Sequence, residues 1–130
     1  MILLLDTHVL LWALDTPDRL ASEIREQLEA PHNKVLFSAA SIWEIAIKCS
    51  LGRASFPYSP DEISEGARTT GFTELPVTAA HGARVASLPL HHRDPFDRLL
   101  VAQAMTTPAT LLTADAALTA YSELVQKIDA

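Results

Sequence analysis

Met1-Ile2-Leu3-Leu4-Leu5-Asp6 opens the chain with an unbroken apolar run that stops at an acid. Alternating apolar and polar residues mark a strand with one wet face, whereas a continuous run marks a strand covered on both faces. Val35-Leu36-Phe37 and Thr110 to Thr113 repeat the pattern, and Val125 to Ile128 reads as a last strand. Strands covered on both faces belong to a mostly parallel sheet between layers of helix, provided that helices lie between them.

The intervening segments supply those helices. Val9 to Leu14 reads as a short helix ended by Thr16-Pro17-Asp18. Ser22 to Ala30 is amphipathic, with Ile24 and Leu28 inward and Glu23, Arg25, Glu26 and Glu29 outward, and Pro31-His32-Asn33 turns the chain. Ser38 to Cys49 is helical with Gly52 as its stop signal, and Pro57 to Pro60 marks a loop. Asp61 to Thr70 is a solvated helix closing at Gly71. Phe72 to Val77 is a short edge strand, because Pro76 bars it from a sheet centre. Ala79 to Ser87 is helical and Pro89 to Arg93 a loop. Asp94 suits the N-cap, and Pro95 the first turn, of an apolar helix reaching about Met105. The expected class is therefore α/β, a sandwich around a mostly parallel central sheet, with residues 1–130 forming a single domain.

Composition narrows the function. Hydrophobic residues make up 48% and charged residues 20%, the balance of an ordinary globule. None of the four glycines forms a GxxxxGK or GxGxxG loop, which argues against nucleotide binding by those devices. The net charge of −6 argues against gripping nucleic acid by phosphate neutralisation alone, unless divalent cations occupy some carboxylates. Cys49 is the only cysteine, so no internal disulfide forms and a reducing cytoplasm is the natural setting. Met1 to Leu5 lacks a basic flank and does not read as a signal peptide. No apolar run approaches the ~20 residues of a membrane helix.

In open α/β sheets, sites form beyond the carboxyl ends of the strands. Asp6 follows the first strand, Glu44 lies on the helix after the second, and Asp115 comes two residues after Thr113 closes the third. Asp94 and Asp97 begin the helix that feeds the third strand, so they are expected at the same edge. Clustered carboxylates repel one another, which makes them costly alone and useful around a hard cation such as Mg2+ or Mn2+. Such cations activate water and steady charge on a phosphate.

Each acid also has a structural reading. Asp6 caps the following helix; Glu44 completes a capping box with Ser41 or pairs with Lys48 on a solvated stripe; Asp94 caps; Asp115 is a turn residue. Arg93 and Arg98 either meet a phosphate or orient a carboxylate, or are solvated helix-end charges. His81, His91 and His92 lack zinc-ligand spacing and read as surface residues, and Trp12 and Trp43 read as core. Ile42, Ile45 and Ile47 read as packing or dimer surface.

Four motifs, in order and over nearly the whole chain, resemble those of the PIN-domain family. They are Leu4-Leu5-Asp6-Thr7-His8, Ser41-Ile42-Trp43-Glu44-Ile45, His92-Arg93-Asp94-Pro95-Phe96-Asp97-Arg98-Leu99-Leu100 and Leu112-Thr113-Ala114-Asp115. The second and third are similar to a VapC-like toxin branch. The resemblance implies a three-layer α/β/α sandwich and a type II toxin ribonuclease that hydrolyses RNA phosphodiesters with Mg2+ or Mn2+. It also implies a homodimer inhibited by a cognate antitoxin. By the same resemblance Asp6, Glu44, Asp97 and Asp115 are catalytic metal ligands, with Thr113, Thr7, Asp94 and Arg98 behind them or toward substrate. His8 stands where many relatives carry a small polar residue. A catalytically inactive PIN-like binding module is the alternative, though no ligand is missing. A signalling receiver is a third reading, disfavoured because Asp6 has no adjacent acid and Lys127 falls in a terminal strand.

Overall fold

The computed structural model of the chain describes residues 1–52 and 57–129. Five strands, β1 (Ile2–Leu5), β2 (Lys34–Ser38), β3 (Thr73–Leu75), β4 (Thr110–Thr113) and β5 (Val125–Lys127), form one sheet in the order β3-β2-β1-β4-β5. Every pairing is parallel, so the mostly parallel sheet expected from the sequence is wholly so among the described residues. Its centre is the opening apolar run: Leu5 pairs with Phe37 on one side and Leu112 on the other.

Side chains alternate across a strand, and both faces are dry here, which is why β1 shows no polar alternation. Leu3, Leu5, Val35, Phe37 and Leu112 join one core with Val9 and Leu10 of α1 (Thr7–Asp15), Ile24 of α2 (Ser22–Glu29), Ile45 of α3 (Ala39–Ser50) and Ile63 of α4 (Pro60–Thr70). Leu4, Leu36 and Leu111 point the other way, into a core with Leu100 and Val101 of α6 (Pro95–Thr106). Beside α6 on that face lies α5 (Ala79–Val85), whose Val85 packs against the same core. The result is an α/β/α sandwich of three layers.

Helix ends follow their capping chemistry. Gly71 closes α4 at φ +103, the left-handed region that a side chain resists. The capping box expected at Ser41 is absent: Ser38 caps α3, with its Oγ accepting from Ala40 N at 3.0 Å. That frees Ser41 to face α1, where its hydroxyl can donate to Thr7 Oγ1, 2.9 Å away. Trp43 was expected in the core but is 61% exposed, its ring edge-on to Phe96 with centroids 5.3 Å apart.

Because Leu4 is fully buried against α6, Leu4→Ala leaves a cavity rather than a wet surface. It is expected to lower unfolding free energy by about 2–5 kcal/mol, measured by urea titration. A loss below about 1 kcal/mol would contradict the two-sided burial of β1.

Candidate functional site

In a wholly parallel sheet all carboxyl ends share one edge, and the residues leaving β1 and β4 there are Asp6 and, past Thr113, Asp115. A cleft of about 360 Å³ opens at this edge, lined by Asp6, His8, Trp12, Glu44, Lys48, Asp94, Asp97, Ala114 and Asp115. All four acids of the expected ligand set thus reach one cleft, from segments up to 109 positions apart (6 to 115).

Capping places three acids of the cleft lining, Asp6, Asp115 and Asp94, and two of them belong to that set. Asp6 Oδ1 accepts the His8 N–H at the start of α1 at 3.1 Å, while Oδ2 accepts the Thr113 hydroxyl at 2.6 Å. Asp115 Oδ1 caps the one-turn helix Ala116–Ala120 through Ala117 N, leaving Oδ2 beside His92 Nε2 at 2.9 Å. Asp94 Oδ1 accepts from Phe96 N at 2.8 Å and Asp97 N at 3.4 Å, which fixes the first turn of α6 and hence the direction of Asp97. Structural and cleft-facing roles therefore coexist in one side chain.

Glu44 is only 8% exposed, so it lies on no solvated stripe. Its Oε1 accepts the Thr7 hydroxyl at 2.7 Å, and its Oε2 lies 3.2 Å from Lys48 Nζ, the expected i,i+4 partner. Thr113 and Thr7 thus each hold one acid from behind.

Arg98 stays out of the cleft. Its guanidinium donates to the carbonyls of Val85 and Leu88 at 3.3 and 3.1 Å, pinning the end of α5 to α6. So engaged, it is not a solvated helix-end charge. Arg93 is exposed and lines a neighbouring apolar groove with Lys48, Pro95 and Phe96.

The sequence reading missed His92. Its Nε2 lies 2.9 Å from Asp115 Oδ2 and 3.6 Å from Asp97 Oδ2, and its Nδ1 accepts the Asp94 N–H at 3.0 Å. Zinc spacing was the wrong test; the useful signal is a histidine two residues before a capping aspartate, close enough to take its N–H. His81 is buried, not exposed, and forms a capping box with Thr78.

Burial pushes the Asp6 carboxyl up, against the lowering effect of the Thr113 hydrogen bond. Burial also raises Asp97, joined by repulsion from Asp6, Asp94 and Glu44 and partly offset by His92, to about 7. Hard oxygen donors crowded until one is reluctant to ionise fit a divalent cation. Among the described residues, the potential ligand atoms already within 4.8 Å of one another belong to His92, Asp97 and Asp115.

A family model described as PIN domain matches residues 3–124. The fold matches one chain of the crystal structure of VapBC2 from Rickettsia felis bound to a DNA fragment from their promoter, with a TM-score of 0.72. The match covers 99% of this chain and 100% of that one at 17% sequence identity, a likeness of fold. No curated protein matches the chain in sequence.

The raised Asp97 carboxyl makes metal-free stability depend on pH. Between its ordinary 3.8 and about 7 the folded chain keeps a proton that the unfolded chain has lost. Stability from this group is therefore full below the lower value and lost as pH rises through the higher. Asp97→Asn removes the titration, so its melting temperature relative to wild type should climb from pH 4 to pH 7 in the presence of chelator. A difference that stays flat across that range would contradict the raised carboxyl.

Proposed function

Because the chain belongs to the PIN-domain family, we propose that it is a divalent-metal-dependent endoribonuclease, hydrolysing RNA phosphodiester bonds as the toxin of a toxin–antitoxin pair. The observation that carries this reading is the single cleft lined by Asp6, Glu44, Asp97 and Asp115. In it these four residues would hold Mg2+ or Mn2+, and residues 1–130 act as a single domain.

The chemistry such a cation supplies is polarisation of a phosphoryl oxygen and activation of water for in-line attack. The chain's own part is to preorganise the oxygens around it. The Thr113 hydroxyl and the His8 N–H fix both oxygens of Asp6, so little reorganisation remains when charge develops. The Thr7 hydroxyl does the same for one oxygen of Glu44, with the Lys48 ammonium at the other. Asp97, raised to about 7, holds its carboxyl proton more tightly than an ordinary aspartate and would give that proton up for a cation to bind.

A protein partner is supported by the structural neighbour, a chain of VapBC2 bound to a DNA fragment from their promoter. The acidic balance, net charge −6, suits a basic antitoxin segment in the cleft. Exposed Trp43 and Leu51 on and beside α3 support a homodimer. The lone Cys49 suits a reducing cytoplasm, and among the described residues no helix is long and apolar enough to cross a membrane.

Single-stranded RNA incubated with the purified chain and Mn2+ should be cut, DNA of the same sequence should not, and chelator should stop the reaction until Mn2+ is restored. Asp6→Asn and Asp97→Asn should each slow cleavage by about 10²–10³-fold, the usual effect of removing one preorganised electrostatic group, with circular dichroism unchanged. Wild-type rates in either variant would refute the proposal.

A further inference from the structure

His92 places a ring nitrogen between Asp97 and Asp115, and its other nitrogen determines what it does there. The Asp94 backbone N–H points at Nδ1 from 3.0 Å. A backbone amide can only donate, so Nδ1 must present a lone pair and the proton of the neutral ring sits on Nε2. Nε2 faces Asp115 Oδ2 at 2.9 Å and Asp97 Oδ2 at 3.6 Å, so the cleft meets an N–H and not a ligand lone pair. The backbone that carries the ring is held from behind: the Tyr121 hydroxyl accepts the backbone N–H groups of His91 and His92 at 3.1 and 2.9 Å. His92 Nε2, Asp97 and Asp115 have the spacing of a metal-binding trio, all within 4.8 Å, but the tautomer excludes the histidine as a donor to metal.

We propose that His92 is a positioning residue that fills the gap between Asp97 and Asp115 with its Nε2–H, so that the cleft takes one divalent cation and not two. Resting on the metal-nuclease reading above, the inference deepens it. A cation bridging Asp97 Oδ2 and Asp115 Oδ2 would sit about 2.1 Å from each oxygen. The Nε2–H already points its positive end at that space, so ring and cation exclude one another. The remaining approach to Asp97 is from the side of Asp6 and Glu44, the two acids besides Asp94 whose charges raise its carboxyl. Asp115 Oδ2, which accepts the Nε2–H, cannot at the same time share a second cation with Asp97.

Counting Mn2+ by electron paramagnetic resonance, with the metal titrated into the full chain, tests this. Wild type should bind one ion per chain. His92→Ala should bind two, with the spectral broadening of neighbouring ions. His92→Gln, whose side-chain amide still donates an N–H from nearly the Nε2 position, should return to one. Melting curves confirm that each variant is folded. Two-bond 1H–15N spectra of the metal-free protein above the histidine titration range should place the ring proton on Nε2. Two ions in wild type, one or none in His92→Ala, or a proton on Nδ1 would overturn the proposal while leaving the nuclease reading intact. No Mn2+ bound by wild type would overturn both.

Discussion

A hydrogen bond of 2.6 Å from the Thr113 hydroxyl to Asp6 joins residues 107 positions apart, at the point where the two central strands β1 and β4 run out. The same Thr113 oxygen accepts the Asp115 N–H at 3.0 Å, so it locates two acids at once. From there the bonds continue without a break. Asp115 Oδ2 meets His92 Nε2, His92 Nδ1 takes the Asp94 N–H, and Asp94 Oδ1 takes the Asp97 N–H. One buried hydroxyl thus begins a chain of contacts that ends at the backbone of Asp97, whose carboxyl is raised to about 7. Glu44 stands outside this chain and is held through Thr7. Because networks of this kind polarise along their length, a change at one member is felt at the others.

Repulsion would scatter the acids if nothing held them, and helix capping is what holds them. A carboxylate at an N-cap commits one oxygen to backbone N–H groups and gains from the helix dipole, while the other oxygen stays available. Asp6, Asp94 and Asp115 are all such caps. A parallel sheet requires a chain reversal after every strand, and several reversals begin with a cap at the same edge. Helix initiation and the acidic cleft are thus one feature of the sequence, which is why the capping and functional readings of Asp6 do not compete.

This overlap also explains what the sequence disclosed. Strands β1, β2 and β4 were legible because burial on both faces removes polar alternation, and α6 because Asp94-Pro95 is a start signal. The arrival of Asp6, Glu44, Asp97 and Asp115 at one edge follows from parallel topology alone. Side-chain direction does not. Trp43 looked like core because large aromatics usually are, yet it lies on the outer side of α3, where its ring meets Phe96. Arg98 shares the first turns of α6 with Asp97, but its long side chain reaches back to carbonyls at the end of α5. His92 lies in a loop, where no periodicity says which way a ring faces; the Asp94 N–H at Nδ1 and Asp115, 23 positions away, at Nε2 decide it.

The same geometry bears on how a chain of net charge −6 could handle a polyanion. Attraction to phosphate needs positive charge near the reacting centre, and the basic groups there are already engaged. Lys48 is paired with Glu44 and Arg98 with backbone carbonyls, which leaves Arg93 exposed beside the adjoining groove. Within the cleft the scaffold offers mainly carboxylates, so its own field repels phosphate. A bound divalent cation reverses that field at one point, since it becomes the largest charge in the site. In the proposed reaction, attraction to RNA and catalytic competence would then arise together, from a single ion and the acids that hold it.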